Sequence, residues 1–205
     1  MSNIKLTYFD IDGGRAEPLR LAFFIGGIDF EDHRISFSEF RDMRNDLPFR
    51  ALPVLQTEHG QHTQSGAMSR YFGKQAGLYP EDPWQAFLCD EILEVIEDAT
   101  HFAVQTFFLK GEELEKARAR LVEDRFIPYL KTLSERLSAA GGIYFAGEQL
   151  SLADLKVFIW VRTLRKGTMD HVPTDLVEQH APSIAEHCDR IGSLEKIAAY
   201  YAARG

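Results

Sequence analysis

The sequence predicts an α+β chain in two parts, a mixed βαβ-α-ββα unit followed by an all-helical one. Three observations carry this. Strand-like and helix-like patterns alternate from Ile4 to Phe72. A proline opens the short apolar run Leu52-Pro53-Val54-Leu55, ahead of a charged, glycine-bearing turn. From Pro83 onward only helical periodicity remains. The expected division is residues 1–76, a linker at 77–82 containing Gly, Pro and two acids, and residues 83–205.

Ile4–Phe9 alternates and is rich in strand formers, with Tyr8 at its end. Asp10–Gly14 is a two-glycine turn. Arg15–Ile25 is an apolar-faced helix with Pro18 in its first turn, where a missing N–H is tolerated. Gly26-Gly27 ends it, Phe30–Ile35 is the second strand, and Ser38–Arg44 is a short polar helix. After a loop at Leu47–Leu52, the Leu52–Leu55 strand turns through Thr57–Gln61 into a return strand at Gln61–Thr63. Ser65 then caps a helix carrying Ala67, Met68, Tyr71 and Phe72 at helical spacing. In the second part, Pro83–Leu109 and Glu112–Ala139 are long helices, the latter bent at Pro128. Ser151-Leu152-Ala153-Asp154 has capping-box spacing before the most apolar helix, which ends near Gly167 and is expected to be the buried centre. Two or three short helices follow, with Pro173 and Pro182 marking starts.

The 205 residues are 45% apolar and 26% charged, ordinary globular values, with enough chain for a sizeable core. A net charge of −8 argues against a general nucleic-acid or anionic-membrane binder, because those need basic faces. No signal pattern and no apolar run long enough to span a bilayer is present, so a cytoplasmic protein without a membrane partner is expected. Cys89 and Cys188 stand far apart and form neither a disulfide framework nor a metal cluster. Seven histidines lack metal-ligand spacing and read as surface residues, so no metal is expected.

Ser65, at a helix start just behind a strand edge, suits an anion: free N–H groups, a hydroxyl and the positive end of the helix dipole converge there. Read alone, Ser65 is better explained as a simple cap of its own helix. The ordered set LPVL, QS before a helix ending RYF, an early Tyr8, GGRAEPLR and a late SLAD segment resembles the soluble glutathione transferases, over almost the whole chain. The early Tyr and the GRAE-like helix entry resemble the sigma-like branch with a catalytic tyrosine. The first unit would then be a thioredoxin-like glutathione-binding domain.

That resemblance implies a site. Tyr8 would stabilise the glutathione thiolate. A free thiol has a pKa of about 8.5, and one charge-directed hydrogen bond of about 1.5–3 kcal/mol lowers it by one or two units. Arg15 opens a helix, where a cation is unfavourable. It needs a partner (Glu17, Asp12, or the bound thiol or carboxylate), and catalytic and structural readings both stand. Pro53 would be cis and present the Leu52 backbone to the cysteinyl unit. Gln64 and Ser65 would take the γ-glutamyl end, together with Asp98 from the partner subunit. Asp98 also belongs to an acidic stripe with Asp90, Glu91, Glu94 and Glu97, so a solvated helix face is the other reading. Phe40 and Arg44 would meet the glycyl end, with Ala51 where Lys or Gln is common. Arg44 can fork onto a carboxylate, whereas Phe40 cannot donate, so altered holding is expected there. Ile11, Phe102, Gln105 and Thr106 would line the electrophile pocket.

The implied function is a homodimeric glutathione transferase that uses glutathione as co-substrate and a small hydrophobic electrophile as its second substrate. A glutathione-dependent isomerase or peroxidase on the same site, or a glutathione-binding protein with little turnover, are the alternatives. None needs nucleic acid.

Overall fold

The computed structural model describes residues 4–204. Four strands form one sheet in the order β2-β1-β3-β4. β1 (Lys5–Phe9) runs parallel to β2 (Glu31–Ile35), with Tyr8 opposite Arg34. It runs antiparallel to β3 (Val54–Thr57), ending at the pair Thr7–Val54. β3 returns into β4 (Gly60–His62), and the Thr57–Gly60 pair closes a turn whose tip is only Glu58-His59. The hairpin is therefore tighter than the Thr57–Gln61 loop expected.

Between the parallel strands, a 3₁₀ turn over Gly14–Ala16 leads into α1 (Glu17–Gly26), which starts two residues later than expected. Gly27, at φ 64°, accepts the left-handed conformation that stops it. α2 (Phe37–Met43) begins earlier than expected because Ser36 and Glu39 form a reciprocal capping box. α3 (Ser65–Gln75) completes the βαβ-α-ββα order. Leu6, Tyr8, Leu19, Phe23, Leu55, Met68 and Phe72 pack as one cluster between the sheet and its helices.

α4 (Pro83–Val104) is capped by Asp82 and stops before Leu109, in turns that follow Val104. The expected bent helix at Glu112–Ala139 is two helices, α5 (Gly111–Leu121) and α6 (Ile127–Ala139). A π-helical segment, Val122–Phe126, joins them just before Pro128, whose missing N–H disrupts the regular ladder. α7 (Leu152–Arg165) has eleven of its fourteen residues buried, which makes it the centre of the helical layer. α8 (Leu176–His180), α9 (Pro182–Ser193) and α10 (Glu195–Ala202) follow. Pro182 opens a helix; Pro173 does not, since α8 starts three residues beyond it.

The Ser151 capping box forms with Asp154 standing in for Glu. The fully buried carboxylate accepts from the Ser151 amide at 2.8 Å, the Ser151 hydroxyl at 2.7 Å and the Phe145 amide at 3.0 Å. Nε2 of His187 lies 3.0 Å from it. His187 is itself fully buried, which corrects the expectation that every histidine is at the surface. Leu21 and Ala22 of α1 belong to the same hydrophobic cluster as α4, α6, α7 and α9, so the βαβ unit and the helices share a core.

Candidate functional site

The site begins at the carboxyl end of β1. Tyr8 is almost fully buried, and its hydroxyl oxygen accepts the backbone N–H of Arg15 at 3.2 Å. Gly13 and Gly14 turn the chain with φ of 153° and 68°. A Cβ on Gly14 would lie 2.8 Å from the Tyr8 hydroxyl oxygen, so glycine is required for this approach. The turn is braced from behind. Arg20, fully buried, donates to the Ile11 carbonyl at 2.9 Å and pairs with Glu17 and Asp32. Arg34 reaches Asp10, Asp12 and Asp32. Burial pushes the Tyr8 phenol above its ordinary pKa of 10.0. The Arg15 hydrogen bond and the Arg15 and Arg20 charges oppose that shift without reversing it.

Neither sequence-local acid pairs with Arg15. Its Nε bonds Glu97 on α4 at 2.5 Å, whereas Glu17 turns to Arg20 and Asp12 to Arg34. The other Glu97 oxygen takes Nζ of Lys156, from α7, at 3.0 Å. Burial would raise the Glu97 carboxyl, but the two cations hold it below its ordinary range.

A cavity of about 440 Å³ opens beside this cluster. Arg15, Leu52, Pro53, Gln64, Ser65, Arg70, Glu94, Glu97 and Lys156 are among its walls. The Leu52–Pro53 peptide is cis, as the resemblance implied. Both residues lie past the end of the β1–β3 ladder. Ser65 is the first residue of α3 rather than its cap; Gln64 holds the cap position, at φ 71° and ψ 92°, with no side-chain cap bond. The first amides of a helix have no partner within it, so Ser65, Gly66 and Ala67 bring helix-terminal N–H groups to the wall. A hydroxyl, a helix N-terminus and an extended segment suit a small, anionic, peptide-like ligand.

The structure thus brings Arg15, Leu52, Pro53, Gln64 and Ser65 to one cavity. Tyr8 stands behind Arg15 and is not itself in the wall. Phe40 packs edge-on to Phe9 at 5.3 Å. Arg44 donates to the Arg50 carbonyl, with its guanidinium 6.0 Å from the Phe40 ring centre. Asp98 is exposed on α4 and forms no ion pair among the described residues, whereas Asp90, Glu91, Glu94 and Glu97 are all paired. The acidic stripe is therefore mostly neutralised by Arg70, Arg136, Arg15 and Lys156. Ile11 is exposed, Phe102 lies under the Arg125 guanidinium at 4.4 Å, and Gln105 bonds His101. Thr106 is buried and donates to the Ala103 carbonyl. None of these four lines the cavity. Lys156 and Arg70 were missed by sequence reading. Arg70 sits one turn past Ser65 and had a local signal, and Lys156 had only its oddity as a charge inside the most apolar helix.

Residues 97–204 match the family described as Glutathione S-transferase, C-terminal domain. The chain belongs to the glutathione S-transferase family. It is 30% identical over 201 residues to the hematopoietic prostaglandin D synthase of Gallus gallus, covering 98% of this chain and 96% of that protein. It is also 30% identical over 162 residues to glutathione S-transferase 2 of Caenorhabditis elegans, covering 77% and 86%. The sigma class glutathione S-transferase of Fasciola hepatica superposes with a TM-score of 0.84 at 27% identity, over 99% and 97% of the two chains. Glutathione is the co-substrate of this family. Cys89 and Cys188 take no part in the cavity: both are free and buried, and burial pushes their thiols up to about 11 and about 12. No helix is long and apolar enough to cross a membrane.

Proposed function

We propose that this transferase activates the thiol of glutathione as a thiolate through Tyr8, for conjugation to hydrophobic electrophiles. The observation that carries the reading is the hydroxyl of Tyr8. Its oxygen already accepts the Arg15 amide and its raised pKa keeps the proton on oxygen, so it has one hydrogen to donate to a thiolate. The thiol proton leaves to solvent, and the sulfur then attacks the electrophile from a held position.

In this reading Arg15 adds positive charge beside the sulfur. The Leu52 backbone at Pro53 holds the cysteinyl unit. Gln64 and Ser65 take the γ-glutamyl carboxylate, and Asp98 from a second copy meets the amine. Phe40 and Arg44 flank the glycyl end. Ile11, Phe102, Gln105 and the methyl of Thr106 line the electrophile pocket. Residues 1–76 form the glutathione-binding domain, 77–82 the linker and 83–205 the helical domain, in a cytoplasmic homodimer. Large exposed apolar side chains on α3 (Tyr71) and α4 (Trp84 and Phe87) support a dimer built on those helices.

The test is ultraviolet difference titration of bound glutathione against pH, for wild type and Tyr8→Phe. A thiolate band at neutral pH that is lost in the variant, with binding retained, is expected. An unchanged band would remove Tyr8 from the mechanism.

The likeness to a prostaglandin D synthase over nearly the whole chain favours one second reading, a glutathione-dependent isomerase on the same site. Turnover of an endoperoxide in place of an aryl halide would distinguish it.

A further inference from the structure

We propose that Lys156 is a positioning residue for thiol activation: its ammonium neutralises Glu97, so that the Arg15 charge is left to act on the thiol. This rests on the Tyr8 thiolate reading.

The geometry is a three-membered chain of charges in the cavity wall. Arg15 Nε bonds one Glu97 oxygen and Lys156 Nζ the other. Lys156 is 8% exposed, on a helix where an unpaired ammonium would be costly. The charged or titratable groups around the Tyr8 hydroxyl and this cavity are Tyr8 on β1, Arg15 and Arg20 at the start of the first helical segment, Arg70 on α3, Glu94 and Glu97 on α4, and Lys156 on α7. Arg70 is paired with two carboxylates, Asp90 and Glu94, and Arg20 with Glu17 and Asp32, so neither leaves a free positive charge. Within the trio Arg15, Glu97 and Lys156 there are two cations against one anion. Without Lys156 the trio becomes neutral, and Glu97 binds Arg15 alone. Nearby positive charge favours a thiolate and nearby negative charge the thiol.

The experiment uses the full-length protein saturated with glutathione and follows the thiolate band against pH. Lys156→Met is expected to raise the titration midpoint by roughly half to one pH unit, the size of one charge acting at effective interior screening. The acid limb of kcat/KM with an aryl halide should move by the same amount. Lys156→Arg should restore both. In the double variant Lys156→Met/Glu97→Gln the uncompensated carboxylate is gone, so the midpoint should return towards wild type. A merely structural lysine would leave the double variant no better than the single. If Lys156→Met does not fold, Lys156→Gln and the double variant carry the same comparison. A midpoint unmoved in the folded single variants overturns the proposal alone. A wild type without a thiolate band overturns it together with the Tyr8 reading.

Discussion

The Arg15 amide and the Tyr8 hydroxyl meet at 3.2 Å across a turn that favours glycine, because Gly14 sits at φ 68° and a side chain there would run into Tyr8. Gly14→Ala would bring a methyl to 2.8 Å from the hydroxyl oxygen. We expect about 1–2 kcal/mol of lost stability from the left-handed alanine. Displacing the hydroxyl should cost more in activity, at least ~10-fold in kcat/KM, since small misplacements of a catalytic group are expensive. Chemical denaturation and steady-state kinetics on the same preparation separate the two effects.

Gly73 of α3 is held by packing instead. A Cβ there would lie 2.6 Å from Cδ1 and 2.9 Å from Cγ of Leu152, which is fully buried at the start of α7. Alanine would gain up to about 1 kcal/mol of helix propensity, but overpacking costs about 1–3 kcal/mol. Gly73→Ala is therefore expected to lower the denaturation midpoint, and an unchanged midpoint would show that α3 and α7 can slide apart.

Asp154 carries the helical core. Its four partners include two amides and a buried imidazole. Asp154→Ala removes the cap of α7 and strands those donors, at an expected cost of about 3–5 kcal/mol, read from urea unfolding.

Two groups of the site, Glu97 and Tyr8, give pH predictions. Glu97 has a folded pKa below its ordinary 4.5, so in acid the unfolded chain binds more protons. Its contribution is complete above about pH 4.5 and is lost as pH falls through the lower folded value. Glu97→Gln should flatten that part of the stability profile. Tyr8 has its pKa raised above 10.0 and stays a neutral donor through the neutral and mildly alkaline range. Activity should therefore show no alkaline fall from Tyr8 below pH 10.0, and a fall near pH 8 that Tyr8→Phe removes would contradict this.

Features set by neighbouring residues were legible in the sequence. The Ser151–Asp154 box, the Pro83 and Pro182 helix starts and the βαβ-α-ββα element order follow from local patterns, whereas the strand expected at Leu52–Leu55 is shifted to Val54–Thr57, with Pro53 just ahead of it. Serine's propensity places Ser65 at the cap; the chain puts Gln64 there, in a backbone conformation that propensity does not anticipate. The partner of Arg15 was beyond reach. Glu97 lies 82 residues on, and two nearer acids competed for the assignment until the fold gave them to Arg20 and Arg34. Lys156 fell to the same difficulty: periodicity reports a buried face, not which charge is tolerated within it.

Tyr200, near the end of the chain, donates to the buried Glu17 carboxylate at 3.0 Å, and Lys196 reaches the carbonyl of Ile25 at 2.9 Å. The face of α1 that carries Leu21 and Ala22 is covered only once the helical layer has been assembled against it. A ribosome adding roughly 5–20 residues per second therefore exposes the first helix for on the order of 10–40 s before α10 exists to complete its surroundings. The first helix of the fold waits for the last, and a message cut short before α10 yields a product with a bare seam.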